Sequence, residues 1–196
     1  MKKENLALYV LRLTVTLLII AAVVAAALAV VNQITAPVIQ KAKEEKTRNA
    51  IMTVLPGVHE VQEIPFTDNT GMVTKVYRAN MSHPEDGVIR FSYAVEVTPS
   101  GFDGEITLMV GVDQEGKVLG ISVISHTETA GLGAVAGANT AAGEAFRQQF
   151  IGQSGHVQVK KDGGVIDAIT GATVTSRAIC SGINAALDCV AALGGA

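Results

Sequence analysis

Asp167-Ala168-Ile169-Thr170-Gly171-Ala172-Thr173-Val174-Thr175-Ser176 stands directly before an apolar helical stretch that runs to Leu193. Small residues, hydroxyls and a helix start fall together here, and Arg177 follows one step on. The first backbone N–H groups of a helix are unpaired and its dipole end is positive, so such a start can hold a phosphate. The same residues also fit a plain turn closed by a Thr or Ser N-cap. Gly171 and Ala172 leave room for backbone to approach a ligand. Thr170 and Thr175 supply hydroxyls near Thr173 and Val174, and Arg177 is a candidate partner for a negative charge. Thr175 competes with Thr173 as the hydroxyl at the helix start. Asp167 is too acidic to bind a phosphate directly.

A second segment, His126-Thr127-Glu128-Thr129-Ala130-Gly131-Leu132-Gly133, ends a stretch that reads as a strand. His126 and Glu128 share parity there, which puts both on one face. Gly131, Leu132, Gly133 and Gly137 imitate a dinucleotide-binding loop. The spacing is loose, however, and no acid-ended strand follows about 20 residues on.

Together the two segments resemble the signatures of extracytoplasmic FMN-binding domains. Asp167, Thr170, Gly171, Ala172 and Thr173 match that family's flavin-attachment motif. His126 to Gly133 match its other signature, except that Ala130 stands where the family usually has proline, which leaves this loop less rigid. The resemblance runs from about Gly101 to Cys189. It implies FMN held covalently through a phosphoester on Thr173 by a dedicated transferase, with Asp167 serving the transfer step. It also implies that the His126 loop packs on the flavin ring, Glu128 and Thr129 bonding its polar edge and Leu132 and Gly133 covering it.

The layout of one N-terminal membrane helix followed by one flavin domain is similar to G subunits of Rnf-type electron-transport complexes. That likeness implies an electron carrier without a substrate site of its own, inside an ion-translocating ferredoxin:NAD⁺ oxidoreductase. Its partners would be flavin and iron–sulfur subunits. A C-type subunit of the sodium-pumping NADH:quinone reductase, a free-standing extracytoplasmic flavoprotein and a non-redox membrane-anchored ligand-binding module are the alternatives.

The N-terminal reading rests on Leu13 to Val31, a run of 19 residues without a charge. At about 1.5 Å per residue it spans about 28 Å as a helix, close to a bilayer core. Lys2, Lys3 and Arg12 precede it against Glu4 alone, which places the N-terminus in the cytoplasm and the rest outside. Lys41, Lys43, Lys46 and Arg48 follow the run and weaken that signal. A cleaved signal peptide is the rival, with Ala27-Leu28-Ala29 as a cleavage site. Residues 1–34 are thus read as a short cytoplasmic N-terminus and membrane helix. Residues 35–60 are read as a linker helix that extends the membrane segment, with Pro37 in its first turn and Pro56-Gly57 at its end, and 61–196 as the extracytoplasmic domain.

The chain has 196 residues, net charge −3 and 48% hydrophobic residues, which suits one domain plus one membrane segment. Beyond residue 34 there are 12 Lys+Arg against 17 Asp+Glu, a net −5, which argues against nucleic acid as a partner. Cys180 and Cys189 lie nine residues apart in the last predicted helix, about 13 Å along its axis, so they cannot bridge each other. They read as buried small apolar residues. His126, His59, His83 and His156 show no metal-ligand spacing, and no Ser-His-Asp or Cys-His arrangement stands out.

Strands are expected over 61–66, 73–79, 88–98, 105–113 and 117–129, the last two paired antiparallel across Asp113-Gln114-Glu115-Gly116. Ile89, Phe91, Tyr93, Val95 and Val97 share parity. Helices are expected over 137–150 and 174–193, the latter ended by Gly194-Gly195. A short strand at 156–160 and a final strand at 165–169 complete the reading, and Lys160-Lys161-Asp162 reads as a solvated turn. Strands in runs with helices around them indicate an α+β fold with a mostly antiparallel sheet.

Overall fold

The uncharged run forms part of a single helix, α1, spanning Lys3–Val54. The computed structural model describes residues 3–58, 60–66, 71–82 and 89–194. His59 and His83 lie outside the described residues. Two compact units result, Met1–Glu45 and Lys46–Ala196. In the first unit apolar side chains stand exposed all around the helix, among them Leu17, Leu28, Ile34 and Ile39. A helix apolar on every side and unburied by protein suits hydrocarbon rather than water. Among the described residues, one helix is long and apolar enough to cross a membrane. The hydroxyls of Thr14, Thr16 and Thr35 donate to the carbonyls of Val10, Arg12 and Val31 one turn back, so they need no water.

Pro37 lies inside α1, so the second helical stretch continues the first without a break. The helix stops at Val54, just before Pro56 and a left-handed Gly57, and Glu60 already belongs to a strand.

The second unit is built on a five-stranded antiparallel meander in the order β1-β2-β3-β4-β5. The strands are Glu60–Ile64, Val73–Ser82, Ile89–Val97, Ile106–Val112 and Val118–His126. Alternation sorts their side chains between two faces. Val76, Val95, Val97, Leu108, Val110 and Val112 face one core together with Phe146, Phe150, Ile179, Ile183 and Val190. Tyr77, Ala79, Ala94 and Met109 face the other, against Ala50, Ile51, Val54 and Leu55 from the end of α1. Val54 and Leu55 are fully buried, and each such side chain contributes about 1.5–3 kcal/mol. Gly111 on β4 permits that approach, because a Cβ there would stand 2.7 Å from the Val54 carbonyl oxygen.

Helix α2, Ala141–Gln148, and helix α3, Thr173–Ala192, cover the first face. The helix expected over 137–150 is shorter, because a 3-10 turn at Gly133–Gly137 precedes it and Thr140 caps α2 by accepting from the Gly143 N–H at 3.2 Å. Cys180 and Cys189 are both buried, because the exposed positions of α3 are confined to Val174, Arg177, Ser181, Asp188, Ala191 and Ala192. Burial pushes the Cys180 thiol up to about 11.

No strand forms at 165–169 or 156–160. Their contact is a single parallel bridge, Val159 to Ile166. Side chains satisfy the backbone that a neighbouring strand would otherwise have paired. The Asp167 N–H donates to Gln149 Oε1 at 2.7 Å, and the Ile169 N–H donates to Ser176 Oγ at 3.0 Å. Asn184 of α3 does the same for Val157, accepting from its N–H and donating to its carbonyl.

Candidate functional site

Helix α3 begins at Thr173 without a side-chain cap. Its N-cap is Ala172, whose methyl offers no acceptor, and its first turn holds no acidic residue. The first bond back into the helix is from the Ser176 N–H to the Ala172 carbonyl at 3.0 Å. The N–H groups of Thr173, Val174 and Thr175 therefore precede the intrahelical ladder at the positive end of a 20-residue helix. Gly171 turns the chain into this start at φ +76°, a left-handed conformation that a side chain would strain. A Cβ there would also press on Leu132 Cδ2 at 3.0 Å. Ser176 fixes the turn from within, donating to the Ala172 carbonyl and accepting from the Ile169 N–H.

The second segment meets this start across a buried carboxylate. Glu128 is 7% exposed, and Thr175 Oγ1 donates to its Oε2 at 2.6 Å. Its Oε1 accepts from the N–H groups of Phe102 and Asp103 at 2.7 and 3.2 Å. Burial alone would raise the Glu128 carboxyl. The bonds from Thr175, Asp103 and Phe102, with His126 nearby, outweigh that and hold it below its ordinary value. Gly101 and Gly133 make room for the carboxylate, since a Cβ on either would collide with one of its oxygens.

Around this junction lies a cleft of about 330 Å³. It is lined by Glu128, Thr129, Leu132, Gly133, Gly171, Ala172, Thr173, Val174 and Thr175, with Phe102 and Lys161 beside them. Small-molecule sites typically enclose roughly 300–1,000 Å³. Phe102 is 71% exposed, and Leu132 and Val174 are also open to solvent, so apolar surface at the cleft stands uncovered. The donor set therefore fits FMN. Free N–H groups suit a phosphate, apolar side chains suit a planar ring, and the hydroxyl of Thr173 stands at the cleft.

Several expected site residues stand elsewhere. Thr170 is exposed and does not line the cleft. Asp167 pairs with Lys160 at 2.7 Å, and both side chains are more than half exposed, so the pair contributes little to stability. Arg177 points at Asp162, donating through Nε at 2.7 Å and Nη2 at 2.6 Å. This forked bond holds the Asp162 carboxyl below its ordinary value and raises the guanidinium. Arg177 is thus paired with a protein carboxylate and does not line the cleft. Glu128, by contrast, lines the cleft, and both of its oxygens accept from protein donors, which orders the site. Strand β5 ends at His126, so strand parity does not carry across to Glu128. The His126 ring lies against Gly137, and its buried Nδ1 has no partner among the described residues.

Two lining residues were missed by sequence reasoning. Phe102 sits in the tight Gly101-Phe102-Asp103-Gly104 turn, where an aromatic flanked by turn residues is the signal. Lys161 lies in Lys160-Lys161-Asp162, which forms a 3-10 turn rather than a merely solvated one. Its three side chains reach Asp167, Thr173 and Arg177 in turn. The available signal was opposite charges in both places, Lys160 and Asp162 against Asp167 and Arg177.

Residues 101–188 match the model of the FMN-binding domain, and this span contains both segments of the cleft. The G subunit of the Na⁺-translocating ferredoxin:NAD⁺ oxidoreductase complex of Acetobacterium woodii is 30% identical, covering 91% of this chain and 90% of that one. The G subunit of the ion-translocating oxidoreductase complex of Vibrio cholerae is 31% identical, covering 80% of this chain and 78% of its own. The protein of the same name from Methanosarcina acetivorans is 29% identical, covering 92% and 94%.

Proposed function

This chain belongs to the family of G subunits of ion-translocating oxidoreductase complexes, and from that premise we propose that it holds its FMN through a phosphoester on Thr173. It is an electron-transfer subunit of a redox complex, and when bound the FMN supplies reversible uptake and release of electrons. The observation that carries the Thr173 reading is the uncapped start of α3. A helix of 20 residues has alanine as its N-cap, at a cleft, with a threonine hydroxyl beside its first N–H groups.

The residues have separate tasks. The N–H groups of Thr173, Val174 and Thr175 offset the negative charge of a phosphate. Phe102, Leu132 and Val174 offer apolar surface to a ring and exclude water from it. Glu128 ties Thr175 to the 101–103 turn and so keeps the helix start and the ring-side loop in one geometry. Attachment needs an activated flavin phosphate, because a free monoester has no good leaving group. In a flavin phosphoanhydride, Thr173 Oγ1 forms the new bond to the flavin's phosphorus and the anhydride P–O bond breaks. A nucleoside monophosphate leaves with the electron pair, and the hydroxyl proton is released. A flavin transferase catalyses that exchange.

Protein produced with a transferase should gain the mass of one FMN less one water, and peptide mapping should place it on Thr173. A mass gain on the peptide but on Thr175 would move the site. No gain at all would reduce the reading to non-covalent binding.

The same reading gives the topology. Residues 1–34 supply a cytoplasmic N-terminus and the membrane pass, 35–60 a linker, and 61–196 a domain outside the cytoplasm. Lys2, Lys3 and Arg12 support this orientation. There the domain exchanges electrons with flavin and iron–sulfur subunits, while α1 contacts lipid. A C-terminal reporter active only outside the cytoplasm is expected to be active, and the mature protein is expected to begin at or near Met1. An inactive reporter would invert the topology, and an N-terminus near Val30 would establish a cleaved signal peptide.

A further inference from the structure

Three basic side chains stand near the flavin-attachment motif, and two of them already hold a carboxylate. Lys160 pairs with Asp167 at 2.7 Å, and Arg177 pairs with Asp162 at 2.6 Å. Lys161 lies between these pairs in sequence and has no carboxylate partner within ion-pair distance among the described residues. Its Nζ donates instead to Thr173 Oγ1 at 3.3 Å. Among the described residues, Lys161 is also the one cationic residue that lines the cleft.

The turn that carries it is held from several directions. The Lys160 N–H donates to the Ile166 carbonyl at 2.8 Å, and the Asp162 N–H donates to the Val159 carbonyl at 2.9 Å. Gly163 closes the turn at φ +90°, and a Cβ on Gly164 would collide with the Gln158 carbonyl. The ion pairs of Lys160 and Asp162 point their side chains to either end of the motif. Lys161 is thereby presented to the acceptor hydroxyl by fixed backbone, which reduces the ordering its long side chain must undergo.

We propose that Lys161 is the positioning residue for flavin attachment. It orients the Thr173 hydroxyl by donating to its oxygen, and its charge offsets the phosphoryl group that this oxygen receives. The inference rests on the reading of Thr173 as the attachment site and goes beyond it by assigning the site's cation to Lys161 in place of Arg177. The chemistry follows from the contact. A hydroxyl oxygen that accepts from an ammonium keeps a lone pair for phosphorus and leaves its own proton free to depart. After transfer, the phosphodiester retains one negative charge beside the ammonium, so a bond between opposite charges replaces one to an uncharged oxygen.

The test follows covalent flavin in denatured full-length protein, using purified transferase and a flavin dinucleotide as donor. Initial rates of incorporation are compared for wild type, Lys161→Ala, Lys161→Arg and Lys161→Glu, with melting temperature measured on the same samples. The expected order is wild type, then arginine, then alanine, then glutamate. Alanine is expected about tenfold slower than wild type at an unchanged melting temperature. Partial rescue by arginine and a further loss with glutamate separate charge from shape, which a merely structural role would not do. Wild type modified on Thr173 with alanine and glutamate variants at the wild-type rate would overturn the assignment of Lys161. Wild type left unmodified, or modified on another residue, would overturn the Thr173 reading itself, and Lys161 with it.

Discussion

Replacing Thr173 with alanine is expected to give a folded protein with no covalent flavin at all. The Thr173 side chain is half-buried at the cleft, and its hydroxyl accepts from Lys161, so its removal opens no cavity in the core. Alanine is also a better helix former than threonine, so α3 should be undisturbed. Fluorescence of the denatured protein should fall to background and the FMN mass gain should vanish. Thr173→Ser should retain modification, because it keeps the oxygen and loses only a methyl. Thr175→Ala discriminates the neighbouring candidate. The Thr175 hydroxyl is buried and already donates to Glu128, so it is turned inward toward the carboxylate. That variant should lose stability yet keep covalent flavin. Modified Thr173→Ala together with unmodified Thr175→Ala would assign the attachment to Thr175.

Glu128→Ala is expected to be the most destabilising of the site substitutions. Three donors converge on one carboxylate that is 7% exposed, and alanine would leave the Phe102 and Asp103 N–H groups and the Thr175 hydroxyl without it. Hydrogen bonds to a buried charged group contribute about 1.5–3 kcal/mol each at most, and the losses are not additive, so about 3 kcal/mol in all is expected. For a domain of this size that lowers the melting temperature by about 10 °C. Glu128→Gln should lose much less. Its amide oxygen can still accept from Phe102 and Asp103, and its NH₂ can donate to the Thr175 oxygen once that hydroxyl rotates.

The two variants also differ in their pH dependence. The folded Glu128 carboxyl lies below its ordinary value of 4.5. Its stabilising contribution is therefore fully present above about 4.5 and is lost as pH falls from there through the folded value. Wild type should lose melting temperature across that acidic window, and Glu128→Gln should lose less of it. Equal acid sensitivity in both would remove Glu128 as the source. Flavin attachment should persist in Glu128→Gln, since this residue orders the cleft and is not the attachment residue.

The long apolar helix, the antiparallel sheet and the two segments that build the cleft were all legible in the chain before any folding was considered. Each is a local property. The uncharged run from Leu13 to Val31 has one stable conformation in hydrocarbon, strand alternation from Tyr93 to Val97 repeats with the pleat, and the short turn after Asp113 allows only a hairpin. Where the charges point emerged only from the assembled domain. Lys160, Lys161 and Asp162 are adjacent in the chain, and no local rule sends one to Asp167, the next to Thr173 and the third to Arg177. The same holds for Glu128, which faces protein donors, and for 165–169, which is not a strand. In each case a side chain distant in sequence, Thr175 for Glu128 and Gln149 for Asp167, satisfies a polar group that local pattern assigns to water, ligand or a strand neighbour. A buried polar group takes whichever partner the packing of the whole domain brings to it, and that packing is not written in any one window of the chain.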